Sequence, residues 1–365
     1  KALSREAKVL ILDEPTAVLT PQETDELMAI MRQLAESGTS IVFITHKLRE
    51  VRAVADDITV IRRGAAVGTA SANKMVGRSV MMKVEKAPAS PSGGGLVFDD
   101  VSLLSPSGVP VLDHLSFGVE RGEIVAVAGV QGNGQTELAE AVLGLQTPDS
   151  GTISLEGADI TRTNPRASLD AGIGFIPEDR TTDGIIASFS IADNLVLDQF
   201  GEAPFSKGPM LKLGVIDDNA RAKQEEYDIR LTDVSDPISS LSGGNQQKVV
   251  VAREMSKELN LLVANQPTRG VDVGSIEFIH KRIVGVRDQG TPVLLISSEL
   301  DEVLSLADRV VVMYRGRIMG IVPAGTPRDV LGLMMAGVPL DEAMSASEEH
   351  SDGAGEGRAM KGGTR

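Results

Sequence analysis

Gly129-Val130-Gln131-Gly132-Asn133-Gly134-Gln135-Thr136 follows an apolar run, Glu123 to Ala128, and precedes a segment with Leu138, Ala141, Val142 and Leu145 on one helical face. A strand, a glycine loop and a helix in that order can hold phosphate. The glycines let consecutive backbone N–H groups curl round phosphate oxygens, the helix N-terminus adds its dipole, and the Thr136 hydroxyl can ligate magnesium. The pattern G-x-x-x-x-G-K-[ST] is met except at Gln135, where an amide stands in place of lysine. An amide still hydrogen-bonds phosphate but brings no charge, so binding is expected to weaken by roughly 1–2 kcal/mol. A dinucleotide fingerprint does not fit, because G-x-G-x-x-G would need glycine at Glu137.

Near the start of the chain, Val9-Leu10-Ile11-Leu12-Asp13-Glu14-Pro15-Thr16 puts two adjacent carboxylates at the end of an apolar strand. Such a pair suits magnesium binding plus base catalysis. His46 closes the next apolar run, Ile41 to Thr45. The same layout returns 252 residues later without a gap, residues 1–68 aligning with 253–320. Gly38 falls on Gly290, Glu50 on Glu302, Asp56 on Asp308 and Gly64 on Gly316, while Asp13, Glu14 and His46 become Asn265, Gln266 and Ser298. Acids and a histidine in one copy, amides and a serine in the other, predict two versions of one engine with the chemistry kept in the first. Losing a general base costs roughly a hundred- to ten-thousandfold, so the second copy is expected to hydrolyse little. About 155 residues of its own domain precede the second copy and none precede the first, so the sequence is expected to be truncated at its N-terminus.

The elements that position these groups follow from periodicity. Each copy reads strand, helix, strand: Leu27, Ile30, Met31 and Leu34 recur at helical spacing in the first, and Ile276, Ile279, Ile283 and Val286 in the second. Ile58 to Ile61 and Val310 to Met313 each precede an Arg-Gly turn and predict matching hairpins. Strands alternating with amphipathic helices predict an α/β fold with a largely parallel sheet. A length of 365 residues suits two domains. The expected division is 1–83, the C-terminal part of a first domain; 84–95, a linker rich in Pro, Ser and Gly; 96–340, a complete second domain; and 341–365, a disordered tail. Absence of cysteine fits a reducing compartment. With no signal-like start and no apolar run of the roughly 18–20 residues that span a bilayer, a soluble cytoplasmic protein is expected. A net charge of -15 argues against nucleic acid as the main partner.

Leu241-Ser242-Gly243-Gly244-Asn245-Gln246-Gln247 opens a helix carrying Val249, Val250 and Arg253. This string resembles the signature of ABC ATPases, which offers a serine hydroxyl and helix N-terminal amides to the γ-phosphate of ATP held by an opposing domain. The resemblance covers residues 1 to about 337 and implies a P-loop NTPase of the ABC type, a RecA-like core with an antiparallel β subdomain and a helical subdomain. It implies ATP and Mg2+ as ligands, with Asp13 and Thr136 on the metal, Glu14 polarising the attacking water and His46 touching the γ-phosphate. Gly129, Gly132, Asn133, Gly134, Gln135 and Thr136 would bind nucleotide on one side, and Ser242, Gly243, Gly244 and Gln246 on the other. Because such domains pair head to tail, the competent site would join Asp13, Glu14 and His46 to the second domain's signature. There are departures: Thr20 stands where the family's D-loop has an acid, Glu178 occupies the Q-loop glutamine region, and no aromatic stands near Leu104 to Pro106 to stack on adenine.

Tandem domains with a lysine-free second phosphate loop and the string Ile176-Pro177-Glu178-Asp179-Arg180 look like importer ATPases for simple sugars and nucleosides. GVQGNGQTEL, PFSKGPML, NQPTRGVDVGSIEFIHKR and LGLMMAG resemble the nucleoside branch served by lipoprotein-type binding proteins. The resemblance implies two integral membrane permease subunits and an extracytoplasmic solute-binding lipoprotein as partners, and a peripheral place on the cytoplasmic face of the membrane. Residues 178–194 would be the surface that meets the permease. Two other classes compete: a soluble tandem ABC protein acting on ribosomes or DNA, which would call for basic extensions, and a non-catalytic nucleotide-binding regulator.

Overall fold

The computed structural model describes residues 7–16, 19, 21–45, 48–62, 65–71 and 84–347; His46, Thr20 and the turn Arg63-Gly64 lie outside the described residues. In the first unit the predicted order appears as β1 (Val9–Asp13), α1 (Pro21–Glu36), β2 (Ser40–Ile44), α2 (Leu48–Val54) and a hairpin of β3 (Asp57–Arg62) with β4 (Ala65–Ser71). Strands β1 and β2 pair in parallel, Val9 opposite Ser40 through Asp13 opposite Ile44. Met28 and Met31 form the buried face of α1, while Ile30, expected on that face, is exposed.

The second unit begins with an antiparallel layer of β5 (Leu96–Leu104) and β6 (Pro110–Val119). Then come β7 (Ile124–Ala128), α3 (Gln135–Val142), β8 (Ser150–Leu155), β9 (Ala158–Asp159), α4 (Pro165–Asp170) and β10 (Ile173–Ile176). A helical part follows: α5 (Ile191–Asn194), the small hairpin β11 (Ser206–Lys207) and β12 (Met210–Leu211), α6 (Leu213–Glu226) and α7 (Gly243–Glu254). The chain returns to the sheet through β13 (Leu261–Asn265), α8 (Val273–Asp288), β14 (Val293–Ser297), α9 (Leu300–Leu306), β15 (Arg309–Tyr314), β16 (Arg317–Pro323) and α10 (Arg328–Met335). The main sheet has the order β10-β13-β14-β7-β15-β16, parallel except for β16.

Strands buried on both faces read as unbroken apolar runs, and alternation sorts their side chains to opposite sides. Ala126, Leu262, Leu295 and Val310 face the helical side with α7, α8 and α10. Val125, Val263, Leu294 and Val311 face α3 and the antiparallel layer, where Phe98 stacks on Phe117 at 4.5 Å. The first unit's matching face is bare: Val9, Ile11, Val42 and Ile44 are exposed, whereas their counterparts Leu261, Val263, Leu294 and Ile296 are fully buried.

Two segments expected to be irregular carry specific contacts. Residues 84–95 are docked rather than free: Val84 is buried, and the Lys86 ammonium donates to the carbonyls of Leu306 and Ala307 at 2.7 and 2.6 Å and to Asp308 Oδ1 at 2.6 Å. Arg287, 1 % exposed, donates to Ala87 O and pairs with the same Asp308. Within the tail expected to be disordered from 341, residues 340–347 instead form a helix, α11, with Ala343 buried and Ser347 Oγ donating to Asp329. Residues 348–365 lie outside the described residues.

Candidate nucleotide site

The phosphate loop leaves the centre of the sheet at the C-terminal end of β7, the edge where ligands gather in open parallel sheets. Gly132 and Gly134 take φ of 87° and 104°, a left-handed backbone that favours glycine, and Gly134 caps α3. Thr136 is exposed in the first turn of α3. Gln135 is buried and turned back on its own loop: its Oε1 accepts the Asn133 N–H at 3.0 Å and its Nε2 donates to Val130 O at 3.0 Å. Asn133 adds a bond from Nδ2 to Val130 O at 2.9 Å and accepts the Arg315 N–H at 2.9 Å. Its own N–H, one of the donors a phosphate would use, is therefore occupied. Only a side chain that both donates and accepts can close the loop this way; lysine cannot accept.

The two carboxylate-type strand ends share one backbone. Glu14 and Gln266 both have positive φ, 44° and 48°, and their N–H groups donate to Ile44 O at 2.9 Å and Ile296 O at 2.8 Å. Asp13 is exposed at the end of β1, whereas Asn265 is buried. In the second unit the amide and the serine bond to each other, Gln266 Nε2 donating to Ser298 Oγ at 3.0 Å. Beneath both strand ends lies one buried contact: Thr16 Oγ1 donates to Glu50 at 2.6 Å and Thr268 Oγ1 to Glu302 at 2.7 Å. His280 joins only the second, with Nε2 3.0 Å from Glu302.

Ser242 is the N-cap of α7 and makes no capping bond with its side chain; its Oγ accepts from Asn245 Nδ2 at 2.9 Å, which leaves the hydroxyl proton free to donate. A Cβ on Gly244 would meet the Asp272 carboxylate and the Ser275 hydroxyl, so a side chain there would displace them. The Gln246 amide donates to Ile238 O and Leu241 O, so it holds the turn before the helix rather than pointing outward. Gln247 Nε2 donates to Pro267 O at 2.8 Å and ties α7 to the strand end of β13. Further along α7 the buried Arg253 donates to Gly184 O and Asn194 O, fastening the segment from 180 to 194 to the signature helix. The sequence places Arg253 on this helix without showing its role, and gives no sign of the contacts of Arg269 or of the Thr–Glu pairs, although the match of Glu50 with Glu302 is visible in the 252-residue register.

A phosphate loop at the switch point of a parallel sheet, an antiparallel layer on one face and a Ser-Gly-Gly helix on the other define an ATP-binding cassette. A family model described as "ABC transporter" matches residues 112–269. The ADP conformation of an ATP-binding cassette of an ABC transporter superposes with a TM-score of 0.56 at 21% identity, covering 69% of this chain and 99% of that one. A nucleoside import ATP-binding protein of Lactococcus lactis subsp. cremoris is 47% identical over 352 residues, 94% of this chain and 70% of that protein. A glucose import ATP-binding protein of Haloferax volcanii is 44% identical over 92% of this chain and 64% of its own length. The chain belongs to the ABC transporter ATP-binding proteins of the nucleoside and sugar import type, and it is an ABC-type ATPase.

Proposed function

We propose that this chain energises import of a nucleoside, through one competent and one degenerate ATP site. The competent site unites Asp13, Glu14 and His46 with Ser242, Gly243 and Gly244 in a head-to-tail pair, with a lysine-bearing phosphate loop that these 365 residues do not contain. The degenerate site is the loop Gly129 to Thr136, which holds ATP and hydrolyses little. The observation that carries this reading is the matched strand end. Glu14 and Gln266 have the same backbone, so the difference between the copies is a carboxylate against an amide. Mg2+ would be held by phosphate oxygens with one or two side chains, Asp13 on one side and Thr136 on the other, in keeping with its preference for few protein ligands. Bound there it would neutralise phosphate charge; Glu14 would orient and deprotonate the attacking water.

Two membrane-embedded permease subunits and an extracytoplasmic solute-binding lipoprotein complete the proposed importer, with this chain on the cytoplasmic face. No helix among the described residues is long and apolar enough to cross a membrane. The permease would meet residues 178–194, which Arg253 and Arg180 join to the signature helix, so a push on that segment reaches the site. The likeness to the nucleoside import protein of Lactococcus lactis supports nucleoside as the cargo; the glucose import relative makes hexose the rival. In the natural full-length protein with its membrane subunits, Glu14→Gln should lower ATP turnover roughly 10²- to 10⁴-fold, and labelled nucleoside, rather than glucose, should accumulate in cells that express the system. Unchanged turnover would overturn the site assignment; uptake of glucose alone would overturn the cargo.

A further inference from the structure

Between the phosphate loop and the signature runs Glu178-Asp179-Arg180, which leaves the end of β10. Glu178 Oε1 accepts from Gln131 Nε2, in the phosphate loop, at 2.6 Å and is ion-paired with Arg269, in the turn after β13. The carbonyl of Arg269 accepts from Arg180 Nη1 at 3.0 Å. Arg180 Nη2 lies 2.5 Å from where a Cβ on Gly243 would stand, and Nη1 lies 3.8 Å from that of Gly270. The guanidinium is therefore wedged between the first residue of the signature helix and the turn after β13, and a side chain at Gly243 would displace it.

That wedge is unfavourable by itself. A cation at a helix N-terminus opposes the helix dipole, and burial draws the Arg180 guanidinium below the usual arginine range. Arg180 Nε is buried and has no hydrogen-bond partner. Asp179, next in sequence, gives little relief, since its carboxylate accepts from the hydroxyls and N–H groups of Thr181 and Thr182. An anion at the signature would offset both the charge and the dipole, and the terminal phosphate of a nucleotide held by an opposing cassette is such an anion.

We infer that Arg180 is a positioning residue for the signature, and that Gln131, Glu178, Arg269 and Arg180 form a continuous link by which the degenerate phosphate loop sets how Ser242 and Gly243 are presented to the competent site. The link rests on the composite site proposed above. It passes through four side chains and one carbonyl in successive polar contacts, and ends where the Arg180 guanidinium packs against Gly243. Gln131 and Glu178 belong to the site that hydrolyses little, so a change in turnover on altering them reports communication rather than lost chemistry.

The test is steady-state ATP hydrolysis by the natural full-length protein with its membrane subunits, carrying Arg180→Ala, Arg180→Lys, Glu178→Ala, Glu178→Ala with Arg180→Ala, and Ser242→Ala. Misplacement of a positioned group by about 1 Å costs up to ~10²-fold, so Arg180→Ala should lower kcat by ~10- to 100-fold with KM for ATP nearly constant. Glu178→Ala should lower kcat less, the double variant should be no worse than Arg180→Ala alone, and Arg180→Lys should recover part of the loss. Groups acting in series are non-additive. Wild-type kcat in Arg180→Ala, or losses that multiply in the double variant, would overturn the link. If Ser242→Ala leaves kcat intact, the composite site is wrong; if it abolishes turnover while Arg180→Ala does not, only the link is wrong. Should Arg180→Ala fail to fold by thermal unfolding, an unchanged kcat in Glu178→Ala overturns the link.

Discussion

Gln135 illustrates how one side chain can close a site by hydrogen bonding to its own loop. The residue was readable as a substitution for lysine, and so was the missing charge. That its amide would bridge the Asn133 N–H and the Val130 carbonyl was not, because side-chain-to-backbone bonds leave no trace in spacing. Lysine at this position would release the Asn133 N–H and add a cation facing the phosphates. Charged hydrogen bonds exceed neutral ones by roughly 1–1.5 kcal/mol. Gln135→Lys should therefore tighten binding of a fluorescent ATP analogue by about tenfold, measured by titration of this chain. Weaker or equal binding would mean that the loop needs its internal bridge to hold shape.

Strand and helix positions were largely written in the apolar pattern, since β13, β14 and α8 bury the residues that periodicity assigned. The first unit was less legible. Its α1 turns Met28 inward instead of Ile30, and the exposed Val9, Ile11, Val42 and Ile44 look the same in sequence as their buried counterparts. Burial is a property of the layer above, which a strand's own letters do not describe. Below the sheet ends, the Thr–Glu contact pins the helix that follows the second strand of each copy: Thr268 to Glu302 ties the end of β13 to α9. Glu302→Ala would strand the buried Thr268 hydroxyl and the His280 ring, at a cost of about 2–4 kcal/mol. Chemical denaturation should show that loss, and Glu302→Gln, which still accepts from Thr268, should lose less. Equal losses in the two variants would point to packing rather than the hydrogen bond.

The two units are held to each other by more than a tether. Helix α1 lies near α10, and the segment from 84 to 95 is strapped to the second unit by Lys86, Asp308 and Arg287. Its proline, serine and glycine content predicts a linker; what fixes it includes a lysine that finds two carbonyls and a carboxylate more than 200 residues away, and the bond from Arg287 to Ala87 O. Trypsin must extract Lys86 from that nest to cut after it. Asp308→Asn removes the carboxylate that Lys86 binds and one of the two that pair with Arg287, so cleavage there should speed up by roughly tenfold or more, following the population of the opened strap. Digestion at the wild-type rate would mean that the two carbonyls suffice.

The left-handed backbone shared by Glu14 and Gln266 has one more consequence. Such a conformation costs a non-glycine residue of order 1–3 kcal/mol, and the second copy still carries that strain although its side chain is no base. The backbone around Gln266 thus holds the posture that Glu14 has in the first copy, with an amide in place of the carboxylate. On the function proposed above, weak hydrolysis there would be a matter of composition rather than of the local backbone.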